Sequence, residues 1–448
     1  MQSAIVANRS DCARCFTENR FSNRLSSVDR HMTTARKWAG SGAAVGGGLV
    51  LWSLGNWLFF VLAGRILGPS DYGTASAILS GCLVVFVLCG GLQPAIAASN
   101  RGRPPDAIFA RAIRLVLLLT VIGLTLLAIT CLFLGAFVTQ FPSTEMFAAV
   151  SVLSTVAIFP LTQGQLQGAE NFQGYSIGYV SVGIARPIMF VLLWLTGMHT
   201  VAAILGTALS WVIGSAVICA FAIPAFRSPP IARTAPEWMS FRRALVPNTV
   251  GTTAIAVFTN ADVITAKLVL PSAGAGFFAA ASTISQGLFL VPQVLATLVV
   301  PRLAARKAQG ASSAHFALIG ALITLGVGLL FSLMMVPLGP TLMAITYGEK
   351  FRPSGALLPY YGFAMAFMGC VIILLYHQIT RRDFRFSWML ITISFIQVGA
   401  LIFVASSPNT IISIDLICAL IAIATHELLA KRDSERLVDG VHARPPNE

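Results

Sequence analysis

Apolar stretches of about 18 residues or more recur along the whole chain, and each is long enough to cross the hydrocarbon core of a bilayer, about 30 Å thick. Only 10% of the 448 residues are charged and 56% are hydrophobic. A soluble domain carries roughly 25% charged residues, because its surface must be covered. The mean hydropathy is +0.79. The sequence therefore predicts an all-α polytopic membrane protein and excludes a soluble globular fold.

Twelve transmembrane helices are predicted, joined by short connections. They cover residues 44–63, 72–95, 113–138, 147–167, 175–196, 200–223, 244–268, 275–300, 314–338, 355–378, 387–406 and 410–429. We expect an N-terminal six-helix bundle at 44–224 and a C-terminal six-helix bundle at 244–430. A cytoplasmic linker at 225–243 separates them, and the cytoplasmic segments 1–43 (basic) and 431–448 flank them.

Basic residues predict the orientation, because cytoplasmic loops carry an excess of lysine and arginine. With both termini inside, 25 of the 30 lysine and arginine residues lie on the cytoplasmic side. The opposite side receives only Arg65, Lys350 and Arg352, and the remaining two, Arg186 and Lys267, fall within spans. We therefore expect a multi-pass protein of the cell inner (cytoplasmic) membrane, N-in and C-in.

The chain also contains a repeat. GRILGPSDYGTASAILS at 64–80 has an echo in AKLVLPSAGAGFFAAASTIS at 266–285. The matched pairs are Pro69 with Pro271, Gly73 with Gly276, and Arg65 with Lys267. Two halves that each have an even number of spans share one membrane orientation. This predicts parallel repeats related by an axis along the membrane normal.

The first-hairpin sequence resembles the pattern G-x-x-L-G-P-x-x-Y/F-G-x-x-S/A of polysaccharide-biosynthesis membrane proteins. The second-half segment TNADVITAKLVLPSAGAGFFAAAS is similar to the corresponding element of that family, with Leu in place of the usual Gly before Pro271 and Phe in place of the usual Tyr. Over residues 40–430 the chain thus resembles the lipid-linked oligosaccharide (Wzx-type) flippases of the multidrug/oligosaccharidyl-lipid/polysaccharide exporter superfamily.

That resemblance implies transport without chemistry. Such proteins move undecaprenyl-diphosphate-linked oligosaccharides from the cytoplasmic to the periplasmic leaflet for surface polysaccharide (O-antigen or exopolysaccharide) assembly. They use two six-helix bundles around a central cavity and alternate between inward- and outward-open forms, driven by an ion gradient or the membrane potential. The resemblance further implies membrane lipids, glycosyltransferases and a polymerase of the same pathway as partners. We expect no cofactor and no nucleic acid.

Ionisable and polar groups inside spans are the candidate substrate-binding residues, since each charge costs about 2.5–3.5 kcal/mol at mid-membrane. Arg186 lies near the middle of the fifth span, beside a proline, and a guanidinium there can bind a diphosphate through two hydrogen bonds. Arg65 and Lys267, equivalent in the repeat, can attract the same group at the outer mouth, and Asn56 can meet sugar hydroxyls. The structural alternative for Arg186 is a pair with a buried carboxylate or with helix carbonyls. The alternatives for the others are interfacial snorkelling for the two other cations and interhelical hydrogen bonding for Asn56.

Candidate ion-coupling residues lie in the outer half of the seventh span. Asp262 can bind a proton or sodium ion, because a carboxylate away from water needs a counter-charge, and Asn260 lies beside it. The alternative for Asp262 is a structural tie to Lys267 or to a neighbouring helix. Asp415, His426 and Glu427 lie near the ends of the last span, and we expect them to be solvated.

Two other classes of protein share parts of this pattern. A multidrug or small-molecule cation antiporter of the same superfamily has the same outline. A membrane glycosyltransferase or polymerase needs an acid/base cluster or metal site in a sizeable outer loop. The longest predicted outer loop, 339–354, has one Glu and no His, and the lone pair Cys12 and Cys15 lacks the second ligand pair of a zinc site. We therefore predict no metal site and a non-enzyme.

Overall fold

The computed structural model describes residues 2–91, 93, 96–97, 143–156, 158–226, 235–292, 314–381 and 384–442. Every regular element within these ranges is helical. The helices are α1 Gln2–Gly90, α2 Ser143–Val156, α3 Ile158–Gly168, α4 Phe172–Trp194, α5 His199–Phe226, α6 Ala235–Val269, α7 Ser272–Gln286, α8 Ala314–Tyr347, α9 Leu358–Arg381, α10 Arg385–Val404 and α11 Pro408–His442. Two 3-10 segments, Gly287–Phe289 and Glu349–Leu357, follow α7 and α8. We call residues 45–226 the first half and 235–442 the second half.

Ten helices in the described part of the chain are long and apolar enough to cross a membrane. The first of them, Val45–Gly90, has 46 residues, about twice what one crossing needs, and it overlaps the two predicted spans 44–63 and 72–95. The protein is therefore a multi-pass membrane protein, and the regular elements of its described part are helical. The count of twelve spans in two bundles stays a prediction, because the predicted span 113–138 lies outside the described residues.

Helix α1 bends sharply where the sequence predicts a turn. Gly68 has φ 75° and ψ 175°, a conformation that needs a residue without a side chain, and the following Pro69 has no N–H for the helical ladder. We name the arms α1a (2–67) and α1b (69–90). The same device recurs in the second half, where α6 ends at Val269 and Pro271 precedes α7. Both predicted proline turns are confirmed.

One predicted loop is wrong. Residues 339–354 do not form a loop, because α8 continues through Pro337 and Pro340 to Tyr347. The helix ends at Tyr347, and the residue after it, Gly348, has φ 98°. A proline removes one hydrogen bond but does not stop a membrane helix whose neighbours support it. Here the support is close backbone packing, since a side chain at Gly339 would meet the Gly355 carbonyl.

The described helices pack around two cores. The smaller core lies within the first half, where Phe159 packs edge-on against Tyr179 and Trp211 at centroid distances of 5.2 and 4.9 Å. The larger core joins the two halves, since it contains Phe59 of α1a together with Phe258 of α6. The two halves are therefore held together by continuous apolar packing as well as by polar contacts.

Helices α1a and α4 approach each other closely in the first half. A Cβ at Gly55 would overlap the Gly183 carbonyl, and a Cβ at Gly183 would lie 2.8 Å from the Trp52 Cα. Small residues allow this approach, which is the usual way that membrane helices gain packing contacts. The contact fixes α4 against α1a, and α4 carries Arg186.

We expect Gly55→Ala to destabilise the protein, because overpacking costs about 1–3 kcal/mol. The measurement is the thermal unfolding midpoint of the purified protein in detergent, which should fall by several degrees. Gly47→Ala on the same helix is the control, because a Cβ there meets nothing within 4 Å. Equal midpoints for the two variants would show that the α1a–α4 contact can relax.

Candidate functional site

A cavity of about 210 Å³ lies between the two halves. The first half supplies residues from α1a, α1b, α2, α4 and α5, and the second half supplies residues from α6 and α7. Its walls combine aromatic and small polar side chains. Phe86 and Trp211 stack at 4.6 Å on one wall, and Ser282 and Gln286 of α7 lie on the other.

Arg186 reaches this cavity from α4. Its Nε donates to Thr207 Oγ1 at 3.1 Å, and its Nη1 donates to Asn56 Oδ1. The guanidinium carbon lies 4.2 Å from the centre of the Phe59 ring and 5.1 Å from that of Phe60, where the ring faces attract a cation. The group is therefore held in place by neutral partners on two helices, α1a and α5.

Arg186 is also the one charged residue that lines the cavity within the described ranges. No acidic side chain in those ranges lies within ion-pair distance of it. The expected structural alternative, a buried ion pair, is thus not formed among the described residues. A guanidinium held away from bulk water by neutral groups retains donors and charge for an anion.

Asp262 lies behind the cavity wall. It is 1% exposed, and it accepts hydrogen bonds from the Val263 N–H at 2.7 Å and from the Tyr361 hydroxyl. That hydroxyl also lies 2.9 Å from Ser282 Oγ, which accepts from Gln286 Nε2 at 3.1 Å. Since Ser282 and Gln286 line the cavity, an unbroken series of hydrogen bonds joins the cavity to Asp262.

Asn260 and Asp262 face different ways. Asn260 lines the cavity, and its Nδ2 donates to the Ala256 carbonyl at 2.8 Å and to Thr259 Oγ1 at 3.0 Å. Asp262 turns toward α9 and α7 instead. No ion pair joins Asp262 to Lys267 among the described contacts. The two predicted ion-coupling residues therefore share a helix but not a face.

The prediction that Asp415 and His426 are solvated is wrong. Asp415 is 1% exposed and His426 is 6% exposed, because α9 and α10 cover this face of α11. Gln397 of α10 donates to Asp415 Oδ1 at 2.7 Å. The position of Asp415 inside the apolar run IISIDLICAL was the sequence signal for its burial. No sequence signal indicated that Tyr361 contacts Asp262.

Arg65 and Lys267 lie away from the cavity. Arg65 Nε donates to the Thr346 carbonyl of α8 at 2.7 Å, and Lys267 is 5% exposed near the end of α6. Of the sequence-predicted residues, the structure thus brings Arg186, Asn56 and Asn260 to one cavity. Asp262 is connected to that cavity through Tyr361 and Ser282.

No protein-family model matches the chain, and no curated protein matches it in sequence. Solved structures do match. The chain is similar to the lipid II flippase MurJ in an inward closed conformation, with a TM-score of 0.66 at 12% identity over 87% of each chain. It is similar to a multidrug resistance MATE family transporter of the MOP superfamily in an inward-facing conformation, with a TM-score of 0.61 at 15% identity over 86% of this chain and 96% of that one. Against an outward-facing MATE family transporter the TM-score is 0.52 at 16% identity, over 87% and 96%. The chain has the fold of these transporters.

Proposed function

We propose that this protein flips an undecaprenyl-diphosphate-linked oligosaccharide from the cytoplasmic to the periplasmic leaflet for surface polysaccharide assembly, by alternating access. The observation that carries this proposal is Arg186, a cation with neutral partners in a cavity between the two halves. A diphosphate offers the planar acceptor pairs that a guanidinium binds through two hydrogen bonds. Asn56, which orients Arg186, is placed to meet the same head group.

The surroundings of the cavity suit an amphiphilic substrate. The head group meets Arg186 and hydroxyl or amide groups, while the outer surfaces of the helices stay in the lipid. The fold likeness to a lipid II flippase supports a lipid-linked substrate. The proposed arrangement is two six-helix bundles, 44–224 and 244–430, in the inner membrane with both termini inside. Transfer of the head group between leaflets then follows from exposing the cavity to each side in turn.

We infer that Asp262 is the ion-coupling residue, with Asn260 exposed to the same cavity. Its carboxylate is buried, and Tyr361 and Ser282 connect it to the cavity. Asp415 of α11 is a second carboxylate buried in this half, 1% exposed, and a bound proton or sodium ion would neutralise the charge of Asp262 in these apolar surroundings. The cation site would thus respond to what the cavity contains through Ser282.

A multidrug or small-molecule cation antiporter is the second candidate. The aromatic side chains Trp52, Phe86 and Trp211 on the cavity wall and the likeness to MATE family transporters favour it. The charge of the cavity argues against it, because the described lining contributes one cation and no anion. A cationic drug would meet repulsion from Arg186 before it met any attraction.

The deciding experiment uses the full chain in liposomes with fluorescent lipids that differ only in the head group. A polyprenyl-diphosphate saccharide should move between leaflets, as measured by quenching from outside, while a zwitterionic lipid should not. Efflux of a cationic dye is measured in the same vesicles. Dye efflux without movement of the diphosphate lipid would favour the antiporter and overturn the flippase.

We further propose that the described conformation is the inward-facing one. The TM-score is 0.61 against the inward-facing MATE family transporter and 0.52 against the outward-facing one. In the proposed orientation the Gly68–Pro69 turn lies on the periplasmic side. The cavity would then be closed on that side, which is the side where the two proline turns meet.

A further inference from the structure

The two proline turns pack directly against each other. A Cβ at Gly276 of α7 would overlap the Pro69 carbonyl, and a Cβ at Gly73 of α1b would lie 2.7 Å from the Gly276 backbone nitrogen. The repeat-related glycines are therefore the contact point between the halves. We call this contact, with the side chains around it, the turn-side seal. Because neither glycine has a side chain, the two backbones meet closely at this point, and no side chains interdigitate between Gly73 and Gly276.

A tyrosine of the first half fills the space beside the glycines. Tyr72 is fully buried, and its hydroxyl lies 3.2 Å from Thr283 Oγ1 and 3.4 Å from the Tyr347 hydroxyl. Its ring packs at 5.6 Å from Tyr347 and 5.7 Å from Phe351. All three partners belong to the second half. Tyr72 therefore lies between the contact of the glycines and the cavity, because its partner Thr283 lines the cavity.

Arg65 joins the halves at the rim of the seal. Its guanidinium donates to the Thr346 and Ile345 carbonyls, which belong to the last turn of α8. The last carbonyls of a helix have no partner within the helix and carry the negative end of its dipole, so an arginine is a favourable cap. This cap comes from α1a in the other half and is exposed to solvent.

The second basic residue of the repeat forms no such link among the described residues. Lys267 is 5% exposed near the end of α6, and no ion pair joins it to Asp71 of the first half there. The Arg65 link joins the halves through two donors of one rigid guanidinium, which meet two carbonyls.

We infer that Arg65 is a positioning residue that holds the turn-side seal closed by capping α8 across the two halves. This inference rests on the proposed alternating access, in which the seal must open to release substrate. Because Arg65 is exposed and lies at the periplasmic end of α1a in the proposed orientation, water can replace its carbonyl partners. The seal is then a reversible closure and not a permanent structural contact. In the closed state two of its N–H donors are already occupied by the α8 carbonyls.

The native Cys82 is a reporter for the seal. It lines the cavity and is 6% exposed, so a membrane-impermeant maleimide reaches it from the turn side only when the seal opens. The other seven of the eight cysteines are replaced by serine or alanine. Labelling rates are measured in sealed vesicles of both orientations. Arg65→Ala should raise the rate from the turn side by roughly fivefold, because loss of charge-assisted hydrogen bonds shifts the equilibrium toward the open form.

Arg352→Ala is the matched control. Arg352 is exposed and follows α8, but it pairs with Glu349 of its own half at 2.6 Å, so its loss should leave Cys82 labelling unchanged. Arg65→Lys keeps the charge with a single ammonium and should give an intermediate rate. Tyr72→Phe keeps the ring in the seal and removes its hydroxyl contacts. If its labelling rises while Arg65→Ala behaves like Arg352→Ala, the seal opens without Arg65 and the inference is overturned.

The labelling assay uses no substrate, which separates this inference from the proposed function. Unchanged labelling of Arg65→Ala, together with movement of the diphosphate lipid by the parent protein, would refute the role of Arg65 in the turn-side seal and leave the proposed flippase intact. Increased labelling without lipid movement would refute the flippase and support the role of Arg65. A fall in the thermal unfolding midpoint of Arg65→Ala to that of Gly55→Ala would show general destabilisation. In that case Arg65→Lys decides, because wild-type labelling of this variant at a wild-type midpoint would overturn the role of Arg65.

Discussion

Arg186→Ala is expected to lower movement of the diphosphate-linked lipid by at least about tenfold, because a hydrogen bond to a charged group contributes about 1.5–3 kcal/mol and 1.4 kcal/mol is a factor of ten. Arg186→Lys should recover only part of the rate, since an ammonium cannot make the two parallel hydrogen bonds. The measurement is the leaflet assay at equal amounts of folded protein. Arg352→Ala on the surface is the control for the loss of one positive charge.

Thr207 and Asn56, the hydrogen-bond partners of Arg186, make it possible to separate substrate binding by Arg186 from a structural role. Thr207 Oγ1 also donates to the Ala203 carbonyl at 2.9 Å, so it stays satisfied when Arg186 is removed. Asn56→Asp places a carboxylate against Arg186. If Arg186 binds the diphosphate, the new ion pair should block transport while the unfolding midpoint holds or rises. If the two single variants Asn56→Asp and Arg186→Ala both transported at the wild-type rate, the proposal that Arg186 binds substrate would be overturned.

Asp262→Asn is expected to abolish the response of transport to an imposed proton or sodium gradient. The amide has the same shape and can still accept from the Tyr361 hydroxyl, but it carries no charge to neutralise. Downhill equilibration of the diphosphate lipid without a gradient should continue. Both rates are measured in liposomes, with each gradient imposed separately. The gradient that stimulates the parent protein identifies the coupling ion.

Two further substitutions make this second prediction specific. Glu349→Gln is the control, because Glu349 is exposed and pairs with Arg352 outside the cavity. Asp415→Asn removes the second buried carboxylate and should weaken the gradient response less than Asp262→Asn, since Tyr361 and Ser282 join Asp262 to the cavity, whereas the described partner of Asp415 is Gln397. If Asp262→Asn retained the full response and Asp415→Asn lost it, the coupling site would have to be moved to α11.

The sequence alone identified Arg186 as a site residue, because a guanidinium in the middle of an apolar span is costly whichever way its helix faces. The sequence did not reveal that Arg186 faces a cavity, since its contacts lie on α1a and α5, 130 and 21 residues away in the chain. Asp415 was misjudged for the same reason: its burial is produced by α9 and α10.

The turn GRILGPSDYGTAS separates local from tertiary information most clearly. Gly68 and Pro69 fix the bend locally, because one lacks a side chain and the other lacks an N–H. The repeat also marked Gly73 and Gly276 as equivalent. Contact between them, and the cap that Arg65 places on α8, required the second half to be in position. Tyr72, absent from the echo, has partners there that the first half does not contain.

By itself the sequence determined the apolar helices, the membrane as their surroundings and the bends at both proline turns. These are properties of chain segments, since the cost of an unpaired backbone group or a charge in lipid is met residue by residue. Only the tertiary structure decided which side chains face the cavity, which carboxylates are buried and which residues of the two halves meet at the proline turns. Those outcomes depend on what lies opposite each helix face, and the opposite face belongs to residues far away in the chain.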